Sequence, residues 1–99
     1  MWIGWIEFDY LLGDVHSLKQ KRSVTKPLLA EIRRRFAVTA AEVDHLDLHR
    51  RAAIGVAAVS PDAGHLVELL DSVERFGADR PDIALVATRR RLLNSSDID

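Results

Sequence analysis

Residues 16–36 read HSLKQKRSVTKPLLAEIRRRF and join the clearest helix signal in the chain to its densest run of positive charge. Ser17 and Gln20 are spaced as a capping box: the serine oxygen accepts from the Gln20 amide, and the Gln20 side chain reaches back to the amide of Ser17. Val24, Leu28, Ile32 and Phe36 recur every four residues with Leu29 beside them, the apolar stripe of a helix packed on something flat. Lys19, Lys21, Arg22, Lys26, Arg33, Arg34 and Arg35 face a single acid, Glu31, within the same stretch. A turn of roughly 100° per residue brings Lys19, Arg22, Lys26 and Arg33 within about 60° of one another on a flank away from the apolar stripe. Pro27 leaves two arrangements open. Either the helix bends there, or a short turn precedes a second segment with Pro27 in its first turn, and the second case disperses the basic stripe.

Upstream, residues 2–12 alternate. Ile6, Phe8, Tyr10 and Leu12 fall on one side, and Ile3, Trp5, Glu7, Asp9 and Leu11 on the other, which predicts a strand with one buried face. Downstream, residues 37–46 read as a second strand, Asp47 to Arg50 as a polar connection, and the nearly uncharged run RAAIGVAAVS at 51–60 as a central strand. Ser60-Pro61-Asp62 opens a second helix, with Ser60 as its cap. Leu66, Leu69, Leu70, Val73 and Phe76 supply its buried face, Gly77 its stop, and Asp62, Glu68, Asp71 and Glu74 its acidic surface. A last strand is expected over 83–92. The order βαββαβ is the split pattern of ferredoxin-like α+β sandwiches: a four-stranded antiparallel sheet, first and third strands central, with both helices on one face.

The chain's 99 residues suffice for one core, expected over 1–92, with 93–99 as a disordered polar tail. A net charge of −1 means that anion binding must come from a local face and not from the whole-protein field. The absence of cysteine excludes disulfides and thiol chemistry and suits a reducing cytosol. The opening WIGWIEFDYLL lacks a basic start and is interrupted by Glu7 and Asp9, so a cytoplasmic protein without a membrane span is expected.

Three phrases in order, HSLKQKRSVTKPLLAEIRRRF, AEVDHLDLHRRAAIGVAAVS and VERF, resemble the YlxP-like family of small bacterial proteins of unknown function. The resemblance reaches to about residue 92. It implies a ferredoxin-like domain and, because members are commonly encoded beside transcription and translation factors, a role near RNA or ribosomes; it implies no activity. Position 49, often aromatic in that family, is His49 here.

Several candidate sites follow. Lys19, Arg22, Lys26 and Arg33, with Arg34 and Arg35 nearby, form a candidate phosphate-binding stripe, and the third strand lacks the aromatics on which RNA-recognition domains of this topology stack bases. The competing reading pairs these cations with Asp62, Glu68, Asp71 and Glu74. On the uncovered sheet face, Ile3, Trp5, Leu11, Ala53, Gly55, Ala57 and Val59 are too apolar for a solvated surface and predict a homodimer or other protein contact, which requires partners for Glu7 and Asp9. His45, Asp47 and His49, with Asp44, Asp14 and His16 near, are weak metal candidates beside the simpler reading of a polar hairpin end, so no metal and no cofactor is expected. Acylphosphatases share the topology and place a Gly-x-Val phosphate loop where Gly13-Asp14-Val15 stands. Lys21, however, replaces their catalytic arginine, and the second strand has no asparagine, so hydrolysis of a phosphate ester or acyl phosphate is the lesser alternative. Arg89, Arg90 and Arg91 alternate faces on a strand and make no single patch. The expectation is a non-enzymatic binding protein acting near RNA or the ribosome, or else an assembly module using its sheet face, with no small-molecule substrate identified.

Overall fold

In the computed structural model, which describes residues 1–97, strand β1 (Trp2–Leu11) buries Gly4, Ile6, Phe8 and Tyr10 on one face, as the alternation requires. It pairs antiparallel with β3 (Arg51–Ser60) and β4 (Ala84–Asn94), while β2 (Thr39–Asp44) pairs with β3. The sheet order is β2-β3-β1-β4, with β1 and β3 central, the ferredoxin-like arrangement. Helix α1 (Leu18–Arg35) lies over β2, and α2 (Ala63–Ala78) over β1, β3 and β4. Ile6, Phe8, Tyr10, Ile54 and Val56 from the sheet meet Leu28, Ile32, Leu66, Leu70 and Val73 from the helices in one core.

Several boundaries differ from the sequence reading, each for a local reason. Strand β2 is shorter at both ends, because Val38 closes a tight turn onto the Phe36 carbonyl and His45 takes a left-handed backbone (φ 59°). The cap of α2 is Asp62, which accepts from the Gly64 amide at 2.9 Å, and not Ser60. Ser60 remains in the ladder opposite Trp2, so Pro61 precedes the cap. Gly77 does not stop α2 but lies within it, beneath the Phe8 ring: a Cβ there would stand 2.4 Å from Phe8 Cζ. Its carbonyl accepts from the Tyr10 hydroxyl at 2.7 Å.

Strand β4 extends to Asn94, opposite Trp2, and Ser95–Asp97 form a short 3-10 turn whose Ser95 amide bonds the Met1 carbonyl. The tail expected from residue 93 is therefore ordered through 97 by pairing with the start of β1, and its last two positions lie outside the described residues. Among the described residues, no helix is long and apolar enough to cross a membrane.

Candidate nucleic-acid interface

Helix α1 passes through Pro27 without a break. Its buried seam is Lys21, Thr25, Leu28 and Ile32, rotated from the expected stripe so that Val24, Leu29 and Phe36 are only half-buried. Relative to this seam the flank of Lys19, Arg22, Lys26 and Arg33 is turned by roughly 120°, and Lys19 to Arg33 spans about 21 Å along the axis. The stripe is therefore assembled as one continuous row.

Its members differ in how free they are. Lys19, Arg22 and Lys26 are exposed, and no carboxylate among the described residues pairs with them. Arg33 donates to the Ala40 carbonyl of β2, which anchors the row along the outer edge of the sheet. Arg34 and Arg35 turn away toward Glu31, at 3.8 and 3.5 Å, and Arg35 also lies 4.8 Å from the centre of the Phe76 ring. The acids of α2 do not meet the stripe. Asp71 and Glu74 hold Arg90 of β4 at 2.9 and 3.0 Å. Burial works against the Arg90 charge, but these two carboxylates outweigh it and raise its pKa.

Lys21 is the member of the cationic run that sequence reading leaves without a role. Only 2% exposed, it donates to the carbonyls of His45 and Leu48, each at 2.7 Å, and pairs with Glu42. It ties the β2–β3 hairpin to the helix, so its ammonium is committed and does not face the Gly13-Asp14-Val15 loop as an acylphosphatase arginine would. The helical wheel already placed Lys21 with Thr25, Leu28 and Ile32, a signal overlooked because lysine is so rarely buried. Arg50 was overlooked too: exposed at the hairpin's end, its Nη2 lies 3.5 Å from His16 Nδ1 beside the start of α1.

On the opposite side of the sheet, Glu7 pairs with Arg89 and Asp9 with Arg51, which supplies the counter-charges that these acids require. An open groove of about 440 Å³ crosses this face between Trp5, Val43, Ala41, Gly55, Ala57 and Arg89. It is narrow at Gly55 because Val43 lies across it: a Cβ at Gly55 would sit 2.7 Å from Val43 Cγ1. Ile3 and Ala57 are half-buried, Ala53 is buried, and Leu11 and Val59 are exposed, Val59 by 62%.

At the hairpin, His45 lies 3.9 Å from Asp9 and 4.0 Å from Asp44, while Asp47 and His49 point to solvent. Among the described residues, no three histidine or acidic side chains converge as metal ligands.

The family model described as "Protein of unknown function (DUF503)" matches residues 3–90. The chain belongs to this family. It is similar to "Uncharacterized protein YlxP" of Bacillus subtilis (strain 168), 33% identical over 87 residues that cover 88% of this chain and 95% of the relative. The match spans β1 through most of β4, so the basic helix, the hairpin and the open sheet face all lie within the family domain.

Proposed function

We propose that this chain is a cytoplasmic, non-enzymatic RNA-binding domain, acting on RNA or a ribosomal particle, that docks on the phosphate backbone through α1. The observation that carries this reading is the row of Lys19, Arg22 and Lys26: three exposed cations on one flank of a continuous helix, with no acid partner among the described residues. Cations left unneutralised in a chain of net charge −1 form a local anion-binding face. The test is co-sedimentation with ribosomal subunits and total RNA at low and moderate salt, beside a variant carrying Lys19→Glu, Arg22→Glu and Lys26→Glu. Salt-sensitive binding, lost in a variant that stays folded, is expected; absence of binding by the parent at low salt sinks the reading.

A second reading concerns the open sheet face. Its acids Glu7 and Asp9 are already paired within the chain, and its centre is the apolar groove over Gly55, with the exposed Arg91 beside Trp5 toward β4. The occupant we propose is a second copy of the chain, since isologous pairing is the commonest mode of assembly.

A further inference from the structure

Building on the proposed RNA reading, we infer that the partner is base-paired RNA, gripped by its backbone at two places: the α1 row and Arg50 of the β2–β3 hairpin. The first ground is the position of the aromatic side chains. Proteins that hold single strands stack bases on aromatic rings, which compensates for ordering a flexible chain. Here Phe8, Tyr10 and Phe76 are buried, Trp2 and Phe36 are packed against the core, and Trp5 belongs to the far face of the sheet. None stands beside the α1 row, and Trp5 instead neighbours Arg91 on the far face. A surface of charges without rings binds phosphates alone, and a duplex offers more of these per unit length in an ordered lattice.

The second ground is rigidity. The row is continuous because α1 is unbroken at Pro27, and Arg33 ties its far end to the Ala40 carbonyl of the sheet. Arg50 is anchored at its backbone. Its own carbonyl accepts from the Leu12 amide at 2.9 Å, and the neighbouring loop is pinned by Lys21. Its side chain leans on His16, and the amide of His16 bonds the Gln20 side chain within the first turns of α1. Arg50 therefore extends the cationic surface past the N-terminal end of the row. A fixed array loses little conformational freedom against a fixed partner and gains less against a strand that must be ordered to match it.

Titration of labelled RNA by fluorescence anisotropy over a range of salt decides the matter, using a short blunt-ended duplex and its two separated strands. Four contacts, from Lys19, Arg22, Lys26 and Arg50, predict a slope of log K against log salt of about −3.6 for the duplex against about −2.8 for the separated strands, with the duplex bound more tightly near 0.1 M salt. Arg50→Gln is expected to lower the magnitude of the slope by about 0.9, a change that a purely structural role for Arg50 does not produce. Separated strands that bind as tightly as the duplex overturn the inference while leaving the RNA reading in place, as does an unchanged slope in Arg50→Gln. Binding of neither form at low salt removes the RNA reading itself.

Discussion

Tyr10 shows how much one side chain can report. It is the sole tyrosine, fully buried, with its hydroxyl donating to Gly77. Burial pushes its phenol well above the ordinary value, opposed only in part by the positive charge of Arg80. The unfolded chain ionises near about pH 10 and therefore loses its proton first. The stability linked to this group is complete below about pH 10 and declines as pH rises above it toward the folded value. Phenolate absorbance is expected to appear only as the protein unfolds; a native protein that forms phenolate near pH 10 contradicts this. Tyr10→Phe should cost about 1–2 kcal/mol at neutral pH by leaving the Gly77 carbonyl unbonded, and should remove the alkaline decline in urea-unfolding free energy. Lys21 makes a second case. Lys21→Met leaves Glu42 and two carbonyls without their donor and is expected to destabilise by about 2–4 kcal/mol, with faster amide exchange over residues 45–49 as the diagnostic sign.

At the scale of elements, α1 carries the central tension. Its proline forgoes the bond to the Ser23 carbonyl in mid-helix, yet the helix is continuous, because Leu28 and Ile32 beyond it are held in the core. Pro27→Ala restores that amide and should raise stability by about 1–3 kcal/mol by thermal or denaturant unfolding while leaving polyanion binding unchanged. A loss of stability would show that the ring's packing beside Val24, Leu28 and Pro81 outweighs the missing bond. The elements themselves were legible. The alternation of β1, the uncharged run of β3 and the Ser17 cap all predicted what formed, and Ser17 Oγ does accept from the Gln20 amide at 3.0 Å. The reciprocal bond went one residue earlier, to the amide of His16. Strand ends were less legible where pairing decides them: Leu93 and Asn94 are strand residues only because β1 lies beside them.

For the whole molecule, the cationic row of α1 and the apolar groove belong to different surfaces, one on the helix layer and one on the bare face of the sheet. Their responses to salt should therefore separate. RNA binding is expected to weaken steeply as salt rises, whereas self-association through the groove should persist or strengthen. Sedimentation velocity across a salt series reads both at once. Ala57→Arg, which sets a charge on the groove floor, should abolish self-association without weakening RNA binding; a dimer that survives this change uses another surface.

What the sequence determined by itself was the order of elements and which side of each faced inward, because periods of 2.0 and about 3.6 are local properties of a chain. It also placed four cations on one flank of α1. Tertiary structure decided which of those charges are free. Lys21 meets the Leu48 carbonyl across 27 positions, and Arg90 meets Glu74 across 16. Such partners come together only when the sheet closes, and a charge is either spent on a neighbour or left for a ligand according to contacts that no local pattern encodes.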